Sequence, residues 1–166
     1  MLTVRKAAVD DGMDIYRFLQ ELPDVENGFI NSAAGKSYEE YLTWLKGVVA
    51  NSQQAGIIDG WKVPQSTYWL YLDDQPIGYG KLRHFLTDHL KESGGHIGIA
   101  IHPKQRGRGY GTYFIRQLLE ESRKLGIEKL LCTVKNQNVA SIKAAIANGG
   151  IVEKVTDERH YLVIRL

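Results

Sequence analysis

The chain has 166 residues, 43% of them hydrophobic and 24% charged, with 21 basic against 19 acidic side chains. This composition is typical of a globular protein, and the length predicts a single domain covering residues 1–166. The near-neutral charge argues against nucleic acid as a partner, and no apolar run reaches membrane length. The single cysteine, Cys132, excludes a disulfide framework, and the first residues lack the pattern of a signal peptide, so we expect a cytoplasmic protein with no membrane partner.

The first half of the chain alternates helical and strand patterns. Its expected elements are a strand at Leu2–Lys6, a helix capped by Asp10 or Asp11 and ended by Pro23, a polar loop at Asp24–Lys36, a helix opened by the capping-box pair Ser37 and Glu40, an irregular segment at Asn51–Pro64, and hairpin strands at Thr67–Leu72 and Ile77–Phe85.

The second half predicts strands separated by helices, which together give a mixed α/β fold. Its expected elements are a strand at Ile97–Ile101, an amphipathic helix from Tyr110 with Gly126 as its C-cap, a strand at Lys129–Val134, a helix started by Asn138, and strands at Ile151–Thr156 and Tyr161–Arg165.

A glycine-rich loop separates the strand Ile97–Ile101 from the amphipathic helix. Gly107, Gly109 and Gly111 stand at alternate positions, so the backbone can turn its amide hydrogens into one concavity. The following helix adds unpaired N–H groups and the positive end of its dipole. The stretch from Ser93 to Leu119 contains no Asp or Glu but several basic residues. This loop therefore predicts a phosphate or pyrophosphate site.

The two commonest glycine-rich phosphate motifs are absent. Gly35-Lys36-Ser37 resembles the end of a P-loop, but the glycine that the motif requires five residues earlier is absent, because position 30 is Ile30. The spacing G-x-G-x-G, late in the chain, is not the G-x-G-x-x-G of a dinucleotide fold.

The loop does match the pattern [Q/R]-x-x-G-x-[G/A], as Arg106-x-x-Gly109-x-Gly111. With this pattern and the order of elements around it, nearly the whole chain resembles the Gcn5-related N-acetyltransferase (GNAT) superfamily. The segments Asn138–Ser141 and Asn148–Gly150 are similar to a bacterial group of predicted acetyltransferases. The resemblance implies a central, mostly antiparallel twisted sheet flanked by helices, acetyl-CoA as co-substrate, no metal, and the homodimer common in the superfamily.

The resemblance also implies a cofactor site, in which the loop amides hold the pyrophosphate and the strand before it pairs with the pantetheine arm. Its residues are Ile99, Ala100, Ile101, Arg106, Gly107, Arg108, Gly109, Tyr110, Gly111, Thr112, Asn138 and Ser141. Two alternatives stay open. Gly98 and Ala100 leave a low strand face for either a ligand or a packed helix, and Asn138 can serve as an N-cap.

The catalytic residues are less defined. The tyrosine that many GNAT relatives carry seven residues after the Asn is replaced by Ala145. His96 is the candidate general base, and Glu26, His84 and His160 are further candidates for that role. Tyr161 and Tyr110 are the candidates for the general acid. Cys132 is expected to be a small buried apolar residue. We expect acetyl transfer to a primary amine of a small molecule or protein by direct attack. The alternative, favoured by Ala145, is a non-catalytic acyl-CoA sensor.

Overall fold

The computed structural model describes residues 1–58 and 60–166, and it contains strands and helices in the expected alternation. In chain order they are β1 (Leu2–Lys6), α1 (Met13–Glu21), β2 (Val25–Glu26), β3 (Phe29–Ile30), α2 (Tyr38–Asn51), β4 (Gln65–Leu72), β5 (Gln75–Arg83), α3 (Asp88–Glu92), β6 (Ile97–Ile101), α4 (Tyr110–Lys124), β7 (Lys129–Lys135), α5 (Val139–Ala147), β8 (Ile151–Val155) and β9 (Arg159–Arg165).

The strands form two main sheets, and every strand pair in them is antiparallel. One sheet has the order β1-β4-β5-β6 and the other the order β7-β9-β8. The expected fold class, a mixed α/β fold with a mostly antiparallel sheet flanked by helices, is therefore confirmed. The sequence did not predict that the sheet divides between β6 and β7, which leaves one edge of β6 without a strand partner in the described chain.

Strand β4 supplies both faces of the first sheet with core residues, because successive side chains of a strand point to opposite faces. Tyr68 and Leu70 join a cluster with α4, α5 and the second sheet. Trp69 and Tyr71 join a second cluster with α1 and α2. The sheet is therefore covered by helices on both sides.

Two glycines of β5 set the distance between the first sheet and α4. A Cβ atom at Gly80 would lie 2.6 Å from Cζ of Phe114, and one at Gly78 would lie 3.1 Å from Cε2 of the same ring. The buried Phe114 ring therefore rests directly on the glycine backbone. This contact holds the first turns of α4, and the loop that precedes them, against the sheet.

Three local predictions were wrong or incomplete. The N-cap of α1 is Gly12; Asp11 instead accepts hydrogen bonds from the Ala8 amide and from Nε1 of Trp69, each 2.8 Å long. The predicted loop Asp24–Lys36 contains the short hairpin β2-β3, whose two-residue strands are too short to show periodicity. Helix α3, capped by the Thr87 side chain, was not predicted.

The capping box of Ser37 and Glu40 is confirmed at the start of α2, and Gly126 takes a positive φ of 81° just after α4. Asp59, in the predicted irregular segment Asn51–Pro64, lies outside the described residues. Within residues 1–58 and 60–166, no helix combines the length and the apolar character needed to cross a membrane.

Candidate active site

A cavity of about 640 Å³ opens where the two sheets separate. It is lined by β6 and β7 and also by the segments that follow each of them. Eleven of the twelve predicted cofactor residues line it; the side chain of the exception, Arg108, is exposed. We call the part lined by residues 105–107, 109–112 and 137–141 the loop end, and the part lined by Lys81, Arg83, Ser93 and Gly94 the far end.

At the loop end, two glycines adopt backbone conformations that other residues rarely take. Gly107 has φ of 77° and Gly109, the N-cap of α4, has φ of 81°. The first backbone bond of α4 runs from the Tyr113 amide to the Gly109 carbonyl, so the amides of residues 110–112 have no partner within the helix. These donors, together with the helix dipole, suit an anion.

Arg106 is fixed at the base of the loop by two different segments. Its Nε donates to the Ile101 carbonyl oxygen at 3.0 Å, and its terminal nitrogens form a two-pronged ion pair with Glu26 of β2. Glu21 of α1 pairs with the imidazole of His102 close by. The acid-free stretch of sequence is therefore contacted in space by two carboxylates from the N-terminal region, which the local sequence did not reveal.

The edge of β6 that faces away from β5 carries main-chain groups toward the cavity. Arg83 donates its amide to the His96 carbonyl, and His102 donates its amide to the Ile77 carbonyl, so even-numbered residues of this stretch bond to β5. In an antiparallel pair the intervening residues point their N–H and C=O groups to the opposite edge. Ile97 and Ile99 therefore offer both main-chain groups along the cavity, as the predicted pantetheine pairing requires, and Ile101 offers its N–H, since its carbonyl accepts from Arg106.

On the low face of β6, the β2-β3 hairpin packs where the sequence suggested a ligand or a helix. A Cβ atom at Gly98 would lie 3.3 Å from the ring of Phe29, which covers this position. Ala100 packs against the second core cluster on the same side. A side chain of the hairpin therefore packs on this face, while Gly98 and Ala100 also line the cavity. The contact of these two residues with a cofactor stays a prediction.

Asn138 and Ser141 lie on the other side of the loop end, at the start of α5. The side chain of Asn138 accepts from the Ser141 amide at 3.4 Å, so the N-cap interpretation is confirmed. This bond uses only the carbonyl oxygen of the carboxamide, so the NH₂ group keeps its capacity to donate. Both residues also line the cavity, which keeps contact with a cofactor compatible with the capping role.

His96 lies where the two sheets touch, and it does not line the cavity. Its amide donates to the Leu131 carbonyl at 2.8 Å, and the Leu131 amide donates to Nδ1 of its ring at 2.9 Å. Burial, with a smaller contribution from the charge of Arg83, lowers the pKa of His96 to about 4. The geometry favours a structural link between β6 and β7 over the general base that the sequence predicted.

The other catalytic candidates divide by position. Tyr161 donates its hydroxyl to the Glu92 carbonyl at 2.7 Å, and His84 and His160 bond to Ser66 and Asn136. None of these three candidates lines the cavity, whereas Glu26 and Tyr110 do. The position of the missing tyrosine, Ala145, is buried in the cavity wall, so no hydroxyl is present there.

Cys132 lies in the cavity wall but is almost entirely buried. Burial raises the pKa of its thiol to about 12, so the nucleophilic thiolate is scarce at neutral pH. This agrees with the predicted role of a small apolar residue. Among the residues that the structure describes, no cluster of His, Cys, Asp and Glu side chains is arranged to hold a metal ion.

The sequence analysis missed two basic residues of β5, Lys81 and Arg83, which line the far end. They belong to no motif, and they lie in a hairpin strand for which the sequence predicted no cofactor-binding residue. Their alternate positions, with the bulky Leu82 between them, are the one signal that both side chains share a face.

Comparisons with known proteins agree with this geometry. A model of the Acetyltransferase (GNAT) family matches residues 31–146. No curated protein matches the chain significantly in sequence.

Among solved structures, the chain is similar to the aminoglycoside acetyltransferase AAC(6')-Ib in complex with coenzyme A, with 18% identity, 99% of this chain and 95% of that chain covered, and a TM-score of 0.68. A GNAT-family acetyltransferase from Streptococcus pneumoniae has 17% identity, coverage of 100% and 99%, and a TM-score of 0.66. The yncA protein of Salmonella typhimurium, solved with its cofactor acetyl-CoA, has 16% identity, coverage of 99% and 94%, and a TM-score of 0.64. At such identities these likenesses show a shared fold.

Proposed function

The chain belongs to the acetyltransferase (GNAT) family, and from this premise we propose that it transfers the acetyl group of acetyl-CoA to a primary amine by direct attack. One observation carries the proposal. The cavity joins an anion-binding helix start at Gly109 to an unpaired strand edge at Ile97–Ile101. A ligand with a pyrophosphate followed by an extended amide-containing arm matches this combination.

In the proposed reaction, the acceptor nitrogen attacks the thioester carbonyl carbon. The new C–N bond forms as the carbonyl oxygen takes the negative charge, and the unpaired amides of Ile97 and Ile99 are placed to donate to that oxyanion. The intermediate then collapses: the C–S bond breaks, coenzyme A leaves as a thiolate, and the nitrogen loses its proton to water. Preorganised main-chain donors suit this step because they need no reorientation.

Ala145 leaves the departing sulfur without a hydroxyl donor at the usual position. A thiol with a pKa of about 8.5 leaves as a thiolate far more readily than an amine does, so the reaction can proceed without general acid catalysis. The acceptor amine, with a pKa of about 10.4, is mostly protonated at neutral pH. We therefore propose that the rate rises with pH as the neutral fraction of the amine increases.

Coenzyme A release during incubation with acetyl-CoA and a panel of primary amines, followed with a thiol reagent, tests the proposal. We expect release that depends on both protein and amine, with the acetylated amine as product. Tight acetyl-CoA binding without release on any amine would instead support the acyl-CoA sensor. No binding of acetyl-CoA or coenzyme A by calorimetry would refute both.

A cytoplasmic location, a single-domain organisation, a homodimer and the absence of nucleic-acid partners stay predictions. So does the choice between a small molecule and a protein as the acceptor class.

A further inference from the structure

Two cations lie side by side at the far end of the cavity. Lys81 and Arg83 alternate along β5 and both face the cavity. Nζ of Lys81 lies 4.4 Å from the centre of the Phe29 ring and donates to the Ile30 carbonyl. Nη1 of Arg83 donates to the Gly95 carbonyl at 2.9 Å. Each side chain is therefore held in place by neutral groups.

Neither cation forms an ion pair with any carboxylate in residues 1–58 and 60–166. Glu26, the acidic residue in the cavity lining, is taken by Arg106 at the loop end. Burial and the neighbouring Arg83 charge together lower the pKa of Lys81 to about 8. Placing two partly buried positive charges together without a counter-charge is unfavourable unless a ligand supplies one.

This positive charge lies too far from the loop to serve the cofactor's pyrophosphate. Lys81 is opposite Gly98, and the Arg83 amide bonds to the His96 carbonyl, whereas the loop begins only after Ile101. At about 3.3 Å per residue, Gly98 lies roughly 10 Å and His96 roughly 17 Å along the strand from Ile101, where the loop begins. A cofactor anchored at the loop and extended along β6 would bring its thioester toward this far end.

We infer that Lys81 and Arg83 form a subsite for an anionic group on the acceptor, so that the preferred substrate is a primary amine that also carries a carboxylate or a phosphate monoester. The inference rests on the proposed function. One bond from each side chain is used in the unliganded protein, and an ammonium has three donors and a guanidinium five. Enough donors therefore remain to bind an anion, and their charge disfavours polycationic acceptors.

Matched pairs of acceptors test the inference. Amino acids are compared with their carboxamides, and phosphoethanolamine is compared with ethanolamine. Because the anion also raises the pKa of the amine, kcat/KM is expressed per concentration of neutral amine, so that each pair reports on the anion. We expect kcat/KM for at least one anionic member to exceed that of its neutral partner by about 10- to 100-fold, the range for a hydrogen bond to a charged group. The two kinds of pair tell carboxylate from phosphate.

Variants locate the effect. We expect Lys81→Gln and Arg83→Gln each to reduce the ratio of kcat/KM between the anionic and the neutral acceptor of a pair. Lys81→Arg, which keeps the positive charge, should retain most of the ratio of the parent protein. Lys129→Gln, which removes an exposed charge outside the cavity, should leave both the ratio and the rates unchanged. Melting curves of each variant with acetyl-CoA show whether it folds and binds the cofactor.

Equal rates for both members of every pair would overturn the inference while leaving the proposed function standing. So would an anion preference that persists in Lys81→Gln and Arg83→Gln. If acetyl-CoA binds but no amine is acetylated, the subsite is tested by the melting temperature of the protein with coenzyme A, measured with and without each anionic acceptor. A further rise with an anionic acceptor, lost in Lys81→Gln, supports the subsite even though transfer fails, and no rise with any of them refutes it.

Discussion

At the loop end of the cavity, the lining residues of one short stretch carry unpaired main-chain amides, and two glycines there have positive φ. At the far end, the polar side chains come from β5 and from the turn after α3, which meet only because the fold brings them together. Main-chain groups suit the pyrophosphate and the extended amide-containing arm, which acyl-CoA molecules have in common. Side chains from separate segments can change one at a time, so the far end is where acceptor preference can vary without loss of the cofactor site.

The His96 link supports the far end, and we expect acid to weaken it most. The folded protein holds the pKa of His96 near 4, below the ordinary value of 6.5, so the unfolded chain binds the proton more readily. Stability should therefore fall as the pH drops from about 6.5 to about 4, by roughly 3 kcal/mol at 1.36 kcal/mol per pH unit. Urea unfolding across this range measures the loss.

The variant His96→Asn separates structure from catalysis at this position. Asparagine keeps a side-chain acceptor that can reach the Leu131 amide but does not titrate, so the acid-dependent loss should shrink. We also expect its kcat at neutral pH to stay within about threefold of the parent, because no proton transfer passes through the ring. A kcat reduced by two orders of magnitude in a folded variant would restore His96 as the general base.

The loop end is tested by Gly109→Val, matched with Gly126→Val. These glycines flank the same helix, both have φ of 81°, and a Cβ atom at either would meet nothing within 4 Å. Each variant should lose about 1–2 kcal/mol of stability from the left-handed conformation. Only Gly109→Val should also weaken acetyl-CoA binding, by about 30-fold or more, because it disturbs the amides that face the anion.

Calorimetric titration with acetyl-CoA distinguishes the two variants. Equal weakening in both would mean that the cofactor responds to general damage to α4 and does not depend on the loop.

The smallest effect is expected for Tyr161→Phe. This change removes one partly exposed hydrogen bond to the Glu92 carbonyl and no group of the cavity lining. Stability should fall by about 1 kcal/mol or less, and kcat should stay within about twofold. A large decrease in kcat with unchanged stability would place the hydroxyl in the reaction and contradict the separation of Tyr161 from the cavity.

The contrast between the two ends also explains what the sequence could predict. Residues such as Gly107, Gly109 and Asn138 act through their own backbone or through residues next to them in the sequence. Their residue types and spacing therefore predict the local backbone conformation. The role of His96 depends on Leu131, 35 residues away, and that of Arg106 on Glu26, 80 residues away. No local pattern encodes such pairs. Thr87 followed by Asp88 is a typical N-cap sequence, so the start of α3 could have been predicted from the sequence.

The unpaired edge of β6 has one further consequence. Bare strand edges commonly attract other extended chains and lead to aggregation. Here the edge lies in the crevice between two sheets, and β7 lines the other side of that crevice. We therefore expect a protein strand to add to this edge less readily than to a fully open one, so the wall opposite β6 that would enclose a cofactor arm would also limit self-association.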